Sequence, residues 1–237
     1  MTVCNRFIFD VDGTLTPSRK EIDKEFRDFF IKFQEQNFVY LVTGSDRDKT
    51  VEQVSEEVYS LAKRVYNCSG SDVYEGNHNV YTNDWTLPQS TRTWLENTLY
   101  SSKFVLRTGL HIEERPGMVN FSIVGRNATM GERKLYVEYE KNYKEREIIA
   151  EQFEKRFPEL QAVVGGETGI DIFPIGSDKS QIVRDFDPND ELHFFGDRMD
   201  KAGNDYPLKK IILDNDLGIC YSVRDYEHTW ELLKQYG

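Results

Sequence analysis

Two aspartates one residue apart, Asp10 and Asp12, stand near the start of the chain in Phe9-Asp10-Val11-Asp12-Gly13-Thr14, directly after the apolar run 6–9. Alternate residues on an extended strand tip point the same way, and Gly13 lets the chain turn sharply aside, so the two carboxylates share one small region. Such a pair can divide labour: an ionised Asp10 can attack phosphorus in line, while Asp12 protonates the leaving oxygen and later deprotonates the incoming hydroxyl. An acidic helix cap or a calcium turn would use the same letters.

Attack by a carboxylate on a phosphate dianion is resisted by like charge, so a cation and oriented donors must gather at the same strand ends. Thr43 closes the apolar run 38–42, and the amides of Gly44 and Ser45 at the start of the next helix are placed to hold phosphoryl oxygens. Lys179, in Gly176-Ser177-Asp178-Lys179, offers positive charge. Asp197 ends the apolar run 191–195, and with Asp10, Asp12 and a backbone carbonyl it suits an oxygen-only Mg²⁺ shell. Asn204 and Asp205 follow as groups that hydrogen-bond to the ligands from behind.

These residues need strands to deliver them. The run 6–9 reads as a buried parallel strand, and Ile22, Phe26, Phe29, Phe30 and Phe33 at helical spacing predict a helix over 20–36, before the strand 38–42. Val51, Val54, Val58, Leu61, Ala62 and Val65 mark one further amphipathic helix that packs on the sheet. From about Tyr81 the pattern changes to strand-like pieces at 103–107, 118–124 and 170–173 around a charged helical stretch at 133–157, the composition of an α+β insertion. Buried-strand patterns return at 191–195 and 209–213. The reading is an α/β protein: a parallel-sheet core from residues 1–80 and 179–237, with an inserted domain over 81–178.

Within the insertion, Val119, Phe121 and Ile123 face one way, while Asn120, Ser122 and, by parity, Arg126 face the other. Guanidiniums grip phosphate oxygens bidentately, so Arg115, Arg126 and Arg133 together suit a phosphate that is not reacting; ordinary pairing with Glu113, Glu114 and Glu132 is the competing account.

The chain has 237 residues and a formal net charge of -11, which argues against a nucleic-acid backbone or an anionic membrane as partner. Nothing approaches eighteen consecutive apolar residues, and MTVCNRFIFD runs straight into a strand pattern, so a soluble cytoplasmic protein is expected. Cys4, Cys68 and Cys220 form no CxxC pair and read as buried free thiols.

The four strand-end signals, in the order Asp, Thr, Lys, Asp, resemble the haloacid-dehalogenase (HAD) superfamily, and their flanks resemble more narrowly the eukaryotic-type α-phosphomannomutases. FDVDGTLTPSR is similar to that family's opening nearly residue for residue, which implies a substrate-phosphate role for Arg19. GMVNFSIVGR resembles the family's first cap strand, which implies the same role for Arg115 and Arg126, with Arg133 at the position of a further cap arginine. GIDIFPIGSDK resembles the return into the core, implying Asp171 as a sugar-hydroxyl contact and Lys179 as the core lysine, and GDRMDKAGNDYPL resembles the metal loop, with Asp197, Asn204 and Asp205 matching.

The resemblance implies a Rossmann-like HAD core with a C2b-type cap, Mg²⁺ as cofactor, a hexose 1,6-bisphosphate as priming activator, and a homodimer joined through the caps. The implied reaction interconverts mannose 6-phosphate and mannose 1-phosphate, with glucose phosphates as second substrates and a place in mannose metabolism and GDP-mannose biosynthesis. There are departures. Thr43 stands where the family has the first glycine of Gly-Gly-Ser-Asp, Gly169 stands where it has a serine, and 67–87, with Cys68, His78 and Trp85, does not follow it closely. A sugar-phosphate phosphatase would use the same Asp10, Asp12, Lys179 and Asp197. A non-enzymatic sugar-phosphate sensor would have no need of Asp10 and Asp12, and both are present.

Overall fold

The run 6–9 lies in the first strand, β1 (Cys4–Phe9), whose last three residues are buried. A strand covered on both faces needs apolar residues in succession rather than in alternation. Phe7 and Phe9 pack on one face with Phe30, Phe33, Leu41 and Val65, while Ile8 packs on the other with Val42, Phe194, Leu208 and Ile212.

This computed structural model describes residues 4–201 and 203–236. After β1 come α1 (Lys24–Gln36), β2 (Phe38–Val42), α2 (Arg47–Val54), α3 (Glu56–Leu61), β3 (Arg64–Asn67), β4 (Asp72–Glu75) and β5 (His78–Thr82). Asp23 caps α1 by accepting from the amides of Glu25 and Phe26, and α1 turns Phe26, Phe30 and Phe33 inward. Burying each phenylalanine stabilises the fold by roughly 1.5–3 kcal/mol. Two helices replace the single one expected over 51–65. Ser55, at φ +80°, breaks the chain between α2 and α3, and Val65 belongs to β3.

The second stretch holds α4 (Gln89–Ser101), β6 (Ile112–Arg115), β7 (Met118–Phe121), α5 (Met130–Tyr143), α6 (Glu145–Arg156), β8 (Leu160–Gly165) and β9 (Gly169–Pro174). Residues 103–107, expected as a strand, are not one; the Arg107 guanidinium donates instead to the carbonyls of Leu106 at 2.9 Å and Leu99 at 3.1 Å. The helical stretch 133–157 is two helices separated by Lys144 in a left-handed conformation. The chain closes with β10 (Asp190–Gly196), α7 (Tyr206–Asp214), β11 (Gly218–Ser222) and α8 (Tyr226–Leu233). Residues 209–213 are therefore helical. Pro207 stands in the first turn of α7 and its apolar residues Leu208 and Ile212 are buried four apart, whereas the last strand is β11.

Contacts divide the chain into two units, Met1–Asn83 with Gly176–Gly237, and Asp84–Ile175, where the sequence placed the limits at 80/81 and 178/179. The first carries a seven-stranded sheet in the order β11-β10-β1-β2-β3-β4-β5, parallel from β11 to β3 and antiparallel through the β4–β5 hairpin. The second carries an antiparallel sheet, β6-β7-β9-β8. One face of that sheet, with Val119, Phe121, Ile170 and Ile172, packs on Tyr136, Ile149 and Phe153 of α5 and α6. Each unit has an apolar core of its own. Of the three free cysteines only Cys68 is buried; Cys4 and Cys220 are half-buried, contrary to the expectation of three buried thiols. No helix among the described residues is long and apolar enough to cross a membrane.

Candidate active site

Asp10 follows β1 directly, and the sheet fixes its backbone: its amide donates to the Phe195 carbonyl at 2.9 Å. Its side chain is buried, and Thr14 Oγ1 donates to Asp10 Oδ2 at 3.3 Å. Lys179 opens a short 3-10 helix that Asp178 caps. Its Nζ lies 2.5 Å from Asp10 Oδ1 and 2.6 Å from Asp205 Oδ1, with the lysine wholly buried. Burial opposes the ammonium charge, but the two carboxylates outweigh it and hold Lys179 above its ordinary value.

Asp205 is thus in direct contact with the core lysine rather than behind the site, as the sequence suggested, and its Oδ2 also accepts from the Arg198 amide at 3.0 Å. Gly13, at φ +80°, makes room for Asp197: a Cβ there would stand 2.5 Å from Asp197 Oδ2. Asn204 lies half-buried in the turn before α7.

Oxygens of Asp10, Asp197 and Asp205 lie within 4.8 Å of one another. Three carboxylates against one ammonium leave an anionic excess in a dry place. Burial drives the Asp10 carboxyl well upward, Lys179 opposing and Asp205 and Asp197 adding, and burial followed by Asp205 pushes Asp197 up to about 6. A hard divalent cation relieves both effects, and an all-oxygen set formed around a glycine-made space fits Mg²⁺. The Asp12 carboxylate, assigned to the metal group from sequence, is not among the converging oxygens. Its Oδ1 accepts from the Arg19 amide at 2.7 Å and from Gln53 Nε2 at 2.9 Å.

Thr43 follows β2 directly and is buried, with its amide on the Tyr66 carbonyl at 2.9 Å. Its Oγ1 accepts from the Ser45 amide at 3.1 Å, so that amide, expected to meet phosphoryl oxygens, is engaged within its own loop. Gly44 lies between them. The loop after β3 braces this one: the Cys68 amide donates to the Ser45 carbonyl at 2.8 Å and the Ser69 amide to the Thr43 carbonyl at 2.7 Å. Gln181 Nε2 in turn donates to the Ser69 carbonyl at 2.8 Å, tying the Lys179 segment to the same loop.

The second unit brings together only part of the expected arginine set. Arg115 and Arg126 both meet Glu113 Oε2, Arg126 through Nε at 3.0 Å. Arg133 has a different setting: it is buried, with Nε on the Ala128 carbonyl at 3.1 Å, Nη1 on Thr168 Oγ1 at 3.0 Å and Nη2 on the Arg126 carbonyl at 2.9 Å. Its guanidinium is committed to protein acceptors, and it fastens the backbone of Arg126. Asp171 pairs across the sheet with Asn120, whose Nδ2 donates to Asp171 Oδ1 at 2.6 Å. A serine at 169 would collide with that amide, since a Cβ on Gly169 would stand 2.6 Å from Asn120 Nδ2. Asn120 stands where a side chain at 169 would begin.

Sequence reasoning passed over Gln53, which touches Asp12. It is a polar residue flanked by buried Thr50 and Val54 on one side of α2, and that placement was its only signal.

The family model for eukaryotic phosphomannomutase matches residues 26–236. Among curated proteins, the phosphomannomutase of Saccharomyces cerevisiae is 32% identical over 96% of this chain and 92% of its own length, and that of Triticum aestivum is 32% identical over 96% and 93%. Among solved structures, a haloacid dehalogenase-like hydrolase from Bacteroides thetaiotaomicron superposes with a TM-score of 0.60 at 14% identity, covering 99% of this chain and 100% of that one. An IMP-nucleotidase from Plasmodium falciparum gives 0.63 at 14% identity, over 98% and 68%. The structural likenesses show a shared fold, and the sequence likeness goes further: this chain belongs to the eukaryotic phosphomannomutase family.

Proposed function

We propose that this protein is a phosphomannomutase, an isomerase that interconverts mannose 6-phosphate and mannose 1-phosphate through an aspartyl-phosphate on Asp10 and a hexose bisphosphate. The observation that carries the reading is Asp10 itself: a buried carboxylate at a strand end, 2.5 Å from a buried lysine, in a chain that matches phosphomannomutases over 96% of its length. Phospho-Asp10 passes its phosphoryl group to a hexose monophosphate. The bisphosphorylated sugar turns round and returns the other phosphoryl to Asp10, and Asp12 supplies or accepts the sugar-hydroxyl proton at each transfer.

Lys179 balances the carboxylate before attack and holds Asp10 in line through a contact that Asp205 shares. Mg²⁺ held by Asp10 and Asp197 would offset the charge of the phosphoryl oxygens. Two arginines that share one carboxylate oxygen of Glu113 can exchange that anion for a phosphate oxygen, which supports Arg115 and Arg126 as the grip on the phosphate that is not reacting. The same reading includes a hexose bisphosphate as primer and a dimer formed through the caps in the cytoplasm. Sedimentation of the purified protein checks the dimer.

One experiment tests the reaction. The protein is incubated with Mg²⁺, mannose 1-phosphate and a trace of hexose 1,6-bisphosphate while phosphorus resonances are followed. Appearance of the 6-phosphate is expected. Inorganic phosphate alone would mean that water, not sugar, receives the phosphoryl group, and the protein would be a sugar-phosphate phosphatase.

A further inference from the structure

We propose that Gln53 is a positioning residue that sets the carboxylate of Asp12 for proton exchange with the sugar oxygen, an inference that rests on the phosphoryl-transfer reading above. Gln53 lies in the last turn of α2 and is 1% exposed. Its Nε2 donates to Asp12 Oδ1 at 2.9 Å and to Thr16 Oγ1 at 3.3 Å, and its carbonyl, one of those a helix end leaves without a helical partner, accepts from the Ile22 amide at 2.8 Å. One residue of α2 therefore holds the loop that follows Asp10 at both ends.

The grip on Asp12 is two-sided, because the Arg19 amide donates to the same Oδ1 at 2.7 Å. Two N–H donors on one oxygen fix the plane of the carboxylate and occupy that oxygen, which leaves Oδ2 for proton exchange. Gln34 on α1 is the contrast: it too is buried, but its Nε2 donates to the Val58 carbonyl at 3.0 Å and ties backbone to side chain with no acidic group involved. The start of α2 adds a second link. Asp46 caps it by accepting from the Lys49 amide at 2.9 Å, directly after Thr43-Gly44-Ser45, so one eight-residue helix begins at the expected phosphoryl-binding loop and ends on Asp12.

The test separates steps that need a proton from those that do not. Phosphorylation of Asp10 is timed under single-turnover conditions with Mg²⁺, once from a hexose 1-phosphate and once from 4-nitrophenyl phosphate, whose phenolate departs without protonation. Gln53→Met is expected to slow transfer from the sugar phosphate by about 10–100-fold and to leave transfer from the aryl phosphate within about twofold. Gln53→Glu, which keeps the shape but sets an acceptor against Asp12, gives the same split, and Gln34→Met gives none. Both substrates are read on one preparation, so partial unfolding cannot create the split. A proportional loss with both substrates, or no loss with either, overturns the role of Gln53. A wild-type protein that phosphorylates Asp10 from neither substrate overturns the transfer reading, and this inference with it.

Discussion

In the core, Lys179 has no exposed surface and two carboxylates within 2.6 Å, whereas in the cap Arg115 and Arg126 keep 11% and 19% of their side chains in solvent and share a single oxygen of Glu113. The core cluster is held by strand ends, a glycine turn and a capped turn, and Asp10, Lys179 and Asp205 each have a fixed partner. The cap arginines stand beside a strand face with one half-open carboxylate between them. Buried charge cannot change partners cheaply, so it serves chemistry that needs one geometry. Partly exposed charge can change partners more readily, so it serves recognition of a ligand that must come and go.

Four substitutions probe that contrast. The largest effect is expected from Asp10→Asn, which removes the nucleophile with little change in shape. Turnover should fall at least about 10⁴-fold, and a variant that keeps substantial activity would dismiss Asp10 from this role. Lys179→Met comes next, because it leaves Asp10 and Asp205 facing each other in the interior without their cation. Urea titration should show a loss of about 3–5 kcal/mol, and a loss under 1 kcal/mol would mean that the core cluster is no more fixed than the cap arginines.

Arg126→Ala should do the reverse. Its cost is expected as a KM for the hexose phosphate raised by about 10–100-fold, the worth of a charge-assisted pair, with the urea midpoint nearly unchanged. Equal damage to stability would erase the distinction. The smallest effect concerns His193, buried in β10 and stacked on Phe7 with centroids 4.9 Å apart. Burial lowers its pKa below the ordinary histidine value, so the unfolded chain takes up the proton more readily. Stability should therefore be complete above about pH 7 and decline as pH falls through the unfolded value near 6.5, and His193→Phe should flatten that part of the profile. An unchanged slope in the variant would assign the acid sensitivity elsewhere.

Much of the core was legible because its strands are buried on both faces and announce themselves as continuous apolar runs that end in functional residues. Residues 38–42 form β2 with the limits read from sequence, and Asp10, Thr43 and Asp197 stand at strand ends as expected. Lys209-Lys210-Ile211-Ile212-Leu213 misled because a five-residue apolar-rich run fits a strand and a helix equally; Pro207 was the available signal for a helix start. The break at Ser55 carried no glycine, and the apolar stripe continued through it, so α2 and α3 read as one. Strand β5, exposed throughout, had no apolar pattern to read. Among the site residues, Arg133 was legible as a cation but not as a buried one. The capping box of Thr129 and Glu132 starts α5 so that Arg133 lies inward, where it bonds to Ala128 and Arg126.

Because Met1–Asn83 with Gly176–Gly237 and Asp84–Ile175 each build an apolar core of their own, each unit has the means to lose its structure alone. A calorimeter should then record two overlapping endotherms instead of one, and the loss read for Lys179→Met belongs to the unfolding of the unit that contains it. The Lys179 and Arg126 variants become readable on separate thermometers: Lys179→Met shifts the endotherm of the unit that contains it, and the other keeps its temperature.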